Sequence, residues 1–414
     1  MNSALHAREY GIVRPQTLHR AEITRRIYSL ELSRLKEVAR VHHGWFSNVL
    51  VDHYNSRSQK PNPLTLAGAY SIRFQISLLS AGADSEIHIY DIEEQPVNKK
   101  IWKIPSIARV AKKDRQKFGV SSVAWYPFDT GMFISSSFDN TINVWDTNLM
   151  KSACTFDLEE KVFSQSISPI ASHCLVAGRH TSYCASADPR VRLCDLRSGA
   201  FTHSLTGHHG SVMATQWSTR YEHMLITGGS DCTIRVWDIR KAAACIMSFD
   251  QYNTENGDPL SSTNQAHNRP INGLAFSPDG FYILSLGMDE KIRLWDAYTG
   301  RNTLVNYGSH LRNRSNLTIK PLVVNERIWP PLIFVPSDDH QVLAFDMLDG
   351  RLVKRLRGAY GRVTSVDKRP GKEELYSASK DQEILVWEAP RPDIERDDKT
   401  PEAEMDAWSS DDED

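Results

Sequence analysis

Three observations predict an all-β fold built as a seven-bladed propeller. One short word occurs seven times, turn residues bound every copy, and apolar and polar positions alternate over strand length within it. The word is clearest as SSSFDNTINVWDT (135–147). It returns as SAGADSEIHIYD (80–91), SADPRVRLCD (186–195), TGGSDCTIRVWD (227–238), SLGMDEKIRLWD (285–296), PSDDHQVLAFD (336–346) and SASKDQEILVWE (377–388). Its aromatic position falls at Tyr90, Trp145, Cys194, Trp237, Trp295, Phe345 and Trp387.

Successive copies stand about 42 to 58 residues apart, close to the ~40–45 of a WD repeat with insertions. Segments such as TIRVW and KIRLW are β-branched and alternate with period two, which predicts strands between Gly, Asp and Ser turns. In two copies a histidine precedes the word. His208 then shares a repeat with Thr227, Asp231 and Trp237, and His267 with Ser285, Asp289 and Trp295. Buried together, these side chains form a hydrogen-bonded tetrad in which Asp accepts, His donates to it, the hydroxyl bridges and the indole N–H finds an acceptor. Ser, His and Asp also make up an acyl-transfer triad, but a catalytic set occurs once, whereas this one repeats. The reading is therefore scaffold, with no catalytic residue, cofactor or metal expected. Three copies depart from the pattern: the 135–147 word has no upstream His, Cys194 replaces Trp, and Gly358-Ala359-Tyr360 stands where Gly-His would.

Trp387 is followed by EAPRP, and proline cannot continue a paired inner strand. The last blade thus lacks a strand of its own, and Glu37-Val38-Ala39-Arg40-Val41 is expected to close it from the other end of the chain. The expected organisation is an outside segment over 1–34, a propeller over 35–390 and a tail over 391–414. In the first segment Pro15 opens a predicted helix with Leu18, Ile23, Ile27 and Leu30 near one side and Arg20, Arg25 and Arg26 on a basic side. A helix of this length is marginal alone. It either packs on the propeller edge or docks in a partner's groove. The run KKIWKIPSIARVAKKDRQK (99–117) reads as an outer strand and basic loop rather than a nucleic-acid patch, because no aromatic series interleaves it. Residues 251–265 read as a polar inter-blade loop, and 57–77 lengthens the first blade. The tail, with 11 acidic and 3 basic residues, is expected to be disordered. Its Ser409 and Ser410, followed by four acidic residues, suit an acidophilic kinase.

Composition excludes several classes. With 40% hydrophobic and 24% charged residues and a formal net charge of −2, the chain is ordinary for a globular protein and not built for bulk nucleic-acid binding. Its 6 cysteines contain no C-x-x-C pair, so zinc ribbons, RING domains and thioredoxin motifs lack their ligands or nucleophiles. The start, MNSALHAREYGIVRPQ, has no apolar core of signal-peptide length, and no run approaches ~18 apolar residues. Secretion and membrane association are not expected.

Longer words carry a resemblance over nearly the whole chain: RAEITRRIYSLEL (20–32), AWYPFDTGMFISSSFDNTINVWDTN (124–148), HCLVAG (173–178), RLCDLRSG (192–199), NTLVNYG (302–308), ELYSAS (374–379) and DAWSS (406–410). They resemble the Cockayne syndrome group A family, WD-repeat substrate receptors of cullin-4 RING ubiquitin ligases. The first-blade insertion departs from that family. The resemblance implies attachment to cullin-4 and its RING subunit through an adaptor, the large subunit of the damaged-DNA-binding complex. It implies two adaptor contacts. One is the N-terminal segment carrying Leu18, Arg20, Ile23, Arg25, Arg26, Ile27 and Leu30. The other is the W-D-x-R box, complete in Trp237-Asp238-Ile239-Arg240 and partial in Cys194-Asp195-Leu196-Arg197. Arg240 at a strand end either meets a partner's carboxylates or carbonyls or pairs within its own blade. The resemblance further implies a nuclear role in transcription-coupled nucleotide excision repair, with RNA polymerase II, the group B remodeller and the UV-stimulated scaffold protein as partners and no sequence-specific nucleic-acid contact. A generic WD-repeat scaffold in chromatin or RNA processing is the alternative.

Overall fold

A computed structural model describes residues 39–42, 50–53, 77–92, 102–104, 106–127, 131–158, 161–170, 175–179, 190–241, 245–254, 264–324, 331–369, 374–381 and 383–387. All regular structure among them is β-strand, and the strands form seven sheets. The earliest described strand is β1 (Ala39–His42), which belongs to the last blade.

Blade 1 holds β2 (Leu50–His53), β3 (Ser77–Ala81), β4 (Ile87–Asp91) and, beyond the short β5 (Trp102–Ile104), β6 (Ser106–Arg109). Blade 2 runs β7 (Val120–Trp125), β8 (Met132–Ser137), β9 (Thr141–Asp146) and β10 (Lys151–Asp157). Blade 3 runs β11 (Gln165–Ile167), β12 (Leu175–Arg179), β13 (Arg190–Asp195) and β14 (Ala200–Thr206). In blade 4 the order is β15 (Val212–Trp217), β16 (Met224–Gly229), β17 (Ile234–Asp238) and β18 (Cys245–Ser248). Blade 5 has β19 (Ile271–Phe276), β20 (Tyr282–Gly287) and β21 (Ile292–Asp296), with Trp295 bridged to Asn302 at its outer edge. Blade 6 is β22 (Leu322–Val324), β23 (Leu332–Ser337), β24 (Gln341–Asp346) and β25 (Leu352–Arg357). Blade 7 is β26 (Val363–Lys368), β27 (Leu375–Ser379) and β28 (Glu383–Trp387).

Within a blade, sequential strands pair antiparallel from the centre outward. The inner strands β2, β7, β11, β15, β19, β22 and β26 touch one another in that order, and β26 touches β2, so the ring is closed. All seven aromatic-type positions of the repeated word lie on third strands and are buried. The period-two alternation expected of these strands is not what burial shows. Every residue of β17 and of β24 is buried, because adjacent blades cover both faces of the middle strands. Leu79, Ile87 and Ile89 of blade 1, for example, share one core with Val123, Phe133 and Trp145 of blade 2. Exposure is concentrated on outer strands such as β14.

Closure comes from the N-terminal side. β1 pairs antiparallel with β28, with Arg40 opposite Leu385 and His42 opposite Glu383. On its other edge β1 pairs parallel with β5, so the chain joins the last blade a second time before β6 completes the first. The 99–117 run thus supplies outer-edge strands and a loop, as its sequence suggests. The polar segment at 251 does more than connect. Asn253 donates to the Asn302 carbonyl at 3.0 Å and accepts its N–H at 2.7 Å, tying the loop to blade 5. The helix expected within 1–34, most of the first-blade insertion and the acidic tail lie outside the described residues.

Candidate functional site

Antiparallel pairing divides the turns between two faces. One face carries the turns between second and third strands together with the entries to the inner strands, and the hydrogen-bonded networks lie just beneath it. In blade 4 the Trp237 indole N–H donates to Thr227 Oγ1 at 2.7 Å, Thr227 lies 2.7 Å from His208 Nε2, and His208 Nδ1 lies 2.9 Å from Asp231. Blade 5 repeats this through Trp295, Ser285, His267 and Asp289 at 2.8, 2.8 and 3.0 Å. Arg293 adds a hydrogen bond to Asp289 at 3.0 Å and another to Gln251 at 2.8 Å.

The 135–147 word has a network too, through a residue that sequence reading missed. Trp145 donates to Ser135 Oγ at 2.8 Å, and Ser135 donates to Gln116 Oε1 at 2.8 Å. Gln116 Nε2 then donates to Thr141 Oγ1 at 3.0 Å, and Thr141 donates to Asp139 at 2.6 Å. The amide oxygen does the work of one imidazole nitrogen and the amide N–H that of the other. Gln116 stands as far before Asp139 as His208 stands before Asp231, so spacing alone could have found it. Blade 7 keeps the indole bond from Trp387 to Ser377 at 2.8 Å, while Asp381 accepts the backbone N–H of Tyr360 at 2.7 Å. Ser135, Thr227 and Ser285 are fully buried, and each bridges an indole and a His or Gln partner. They brace blades and are not presented to substrate.

These networks predict a two-stage acid response. Burial pushes the His267 pKa below its ordinary 6.5, so the unfolded chain takes up a proton that the folded chain refuses. Stability should therefore begin to fall as pH drops through 6.5. Burial raises the Asp231 pKa, but the His208 hydrogen bond and charge outweigh it and hold the carboxyl at about 2, against an ordinary 3.8. That contribution is complete above 3.8 and is lost as pH falls towards 2. Urea midpoints measured from about pH 7 down to about pH 3 should show both stages, and His267→Gln should remove the upper one.

On the opposite face the Asp of five repeats caps the turn after the third strand. Asp146, Asp195, Asp238, Asp296 and Asp346 each accept the backbone N–H two residues on, at 2.8 to 3.1 Å. The complete W-D-x-R box adds one feature. Arg240 forks onto Asp238 through Nε at 3.0 Å and a terminal nitrogen at 2.8 Å. That hydrogen bond holds the Asp238 carboxyl at about 2. The guanidinium thus pairs within its blade, yet the Arg240 side chain remains 65% exposed. Such a pair contributes little to stability in water. Arg240→Ala should leave the urea midpoint unchanged and so report on binding alone. Arg197 is also exposed, and Asp195 takes its backbone N–H rather than its guanidinium.

Around Arg240 this face shows apolar side chains that sequence reading did not single out. Tyr221 and Phe281 lie in turns between first and second strands of blades 4 and 5, with the Arg220 guanidinium 4.2 Å from the Phe281 ring centre. Tyr298 projects from the capped turn of blade 5, and Leu149 and Ile170 are exposed on the same face of blades 2 and 3. The available signal was aromatic residues inside turn words, STRYEH and SPDGF, where polar ones are the rule. By contrast the tyrosine of Asn306-Tyr307-Gly308 points inward, between an exposed asparagine and an exposed glycine. Tyr307 is buried, its ring meets Phe345 edge-on, and its hydroxyl donates to the Met347 carbonyl at 2.6 Å. Leu18, Arg20, Ile23, Arg25, Arg26, Ile27, Leu30, Ser409 and Ser410 lie outside the described residues.

Comparison with known proteins agrees with this organisation. The family "WD domain, G-beta repeat" matches residues 112–146, 199–238 and 258–296. These segments contain the three networks built on Gln116, His208 and His267. WD repeat-containing protein ATCSA-1 of Arabidopsis thaliana is 33% identical, over 94% of this chain and 95% of its own length. Radiation-sensitive protein 28 of Saccharomyces cerevisiae is 24% identical over 62% of this chain and 54% of its own. Pre-mRNA-processing factor 17 of the same yeast is 24% identical over 44% of this chain and 36% of its own.

Proposed function

The chain belongs to the CSA-like family of WD-repeat proteins, and from that premise we propose that it is the substrate-recognition subunit of a cullin-4 RING ubiquitin ligase acting in transcription-coupled nucleotide excision repair. The observation that carries the proposal is a likeness spanning 94% of this chain and 95% of ATCSA-1, well beyond the repeats that all WD proteins share. The exposed Arg240 side chain, with Tyr221, Phe281 and Tyr298 exposed on the same face of blades 4 and 5, supports it by offering a rim surface of mixed charge and aromatic character.

In this reading the adaptor grips the Arg240 face and the segment from Leu18 to Leu30. The opposite face is left for RNA polymerase II, the group B remodeller and the UV-stimulated scaffold protein. The chain works in the nucleus and performs no chemistry itself. It acts by position, raising the effective concentration of acceptor lysines near a charged conjugating enzyme held by other subunits. A generic scaffold in RNA processing is the second reading, favoured by the likeness to Pre-mRNA-processing factor 17, which extends over 44% of this chain.

Affinity purification from nuclear extract with mass spectrometry, before and after ultraviolet damage, separates the two. The receptor reading expects the adaptor in both samples and polymerase enrichment after damage. Recovery of splicing components without the adaptor would reject it.

A further inference from the structure

On the face opposite Arg240, blades 2 and 3 carry a rigid apolar ledge that the networks do not use. Phe118 is 63% exposed, although backbone hydrogen bonds fix its position. Its carbonyl accepts from Ser85 Oγ at 2.9 Å and from Ser137 Oγ at 2.9 Å. Gly119 follows, so close to blade 1 that an added Cβ would lie 2.8 Å from the Ala83 backbone. The Gly119 carbonyl accepts the Phe138 N–H at 3.2 Å, and the Phe138 ring meets Phe163 edge-on at 5.4 Å. Three phenylalanines, none fully buried, are thereby held in one surface.

Ammonium groups lie beside them. Lys112, Lys113 and Lys117 are exposed, and the Lys117 backbone is pinned to Asp139 at 2.8 Å. Two residues beyond Phe163 lies Gln165, which lines a cavity of about 380 Å³ in the central channel. Its Nε2 donates to the Ile134 carbonyl at 2.9 Å, while its buried Oε1 has no hydrogen-bond partner. A fixed exposed aromatic, clustered ammonium groups and an unused buried acceptor suit a ligand with carboxylates, an apolar anchor and an N–H to donate.

We propose that this ledge docks an acidic segment of a partner protein, with an aromatic or large aliphatic side chain of that segment seated against Phe118. A peptide fits better than a nucleic acid. Asp114 and Asp139 interrupt the lysines, and the Arg115 guanidinium is held by Glu86 at 2.7 Å and is not available to fork onto phosphate. The surface lies across the propeller from Arg240, so the adaptor reading can fail without it, and the reverse also holds.

Fluorescence anisotropy on the full chain tests this with three labelled probes: a short Asp/Glu-rich peptide with one central Trp, the same peptide with Lys for each acid, and single-stranded DNA. The acidic peptide should bind best and weaken with salt. Phe118→Ala and Lys117→Glu should each reduce its affinity about tenfold. Both side chains point to solvent, and an unchanged urea midpoint confirms that the fold is retained. Equal binding by wild type and both variants, no binding, or tighter binding of DNA would overturn the proposal. Binding seen only after truncation at residue 390 would assign the ledge to the chain's own acidic tail and overturn a partner segment as its occupant.

Discussion

His208→Gln retains most of the stability that His208→Ala loses. Blade 2 already runs its network through Gln116, with both amide atoms engaged and Ser135, Thr141 and Asp139 satisfied. A glutamine at 208 meets the same arrangement of acceptor and donors, because Thr227, Asp231 and Thr233 stand where Ser135, Asp139 and Thr141 do. Alanine instead leaves the Thr227 hydroxyl with the Trp237 indole alone and the Asp231 carboxylate with the backbone N–H groups of His209 and Thr233, each mostly out of water. A hydrogen bond is worth about 0.5–1.5 kcal/mol, and about 1.5–3 kcal/mol to a charged group, so the alanine variant should lose roughly 2–4 kcal/mol and the glutamine variant about 1 or less. Gln116→Ala should behave like His208→Ala. Urea midpoints followed by tryptophan fluorescence measure all three. If His208→Gln is as unstable as His208→Ala, Gln116 does not substitute for histidine in the way its contacts indicate.

Deleting residues 1–44 collapses the propeller's closure, whereas deleting 1–34 does not. The longer deletion removes β1, the strand that pairs with β28 on one edge and β5 on the other. Without it the backbone of β28 faces water, and the core of Tyr90, Ile104, Tyr376 and Ile384 loses the strand that spans it. The expected result is loss of most soluble protein, or a single unfolding transition displaced to much lower urea. The shorter deletion spares β1 and should leave the urea midpoint within about 0.5 M of wild type. An equal midpoint for both deletions would mean that β1 does not close the ring.

The ring was legible because its cause is local and repeated. Seven turn words and seven buried third-strand positions report one supersecondary unit, and Pro390 with Pro392 showed that the last unit needed a strand from elsewhere. Features that depend on distant pairing were not legible. β5 has only the residues WKI and no turn word, and its partner β1 lies far away in the chain. Gln116 was missed because residue type was read instead of spacing. The complete burial of β17 and β24 was hidden by the expectation of one wet face, which fails when blades stack on both sides. Of the candidate site, the Asp238–Arg240 turn was visible as a motif. Its aromatic surround was not, because Tyr221, Phe281 and Tyr298 come together only when blades 4 and 5 stand side by side.

The most direct test of the receptor reading is binding of the purified chain to the purified large subunit of the damaged-DNA-binding complex, measured for wild type, the 1–34 deletion and the Arg197→Ala/Arg240→Ala double variant. The reading predicts a stable complex with wild type, loss of the complex on deletion, and at least about tenfold weaker binding for the double variant, with the propeller folded throughout. Equal binding by all three proteins, or none by wild type, would contradict it.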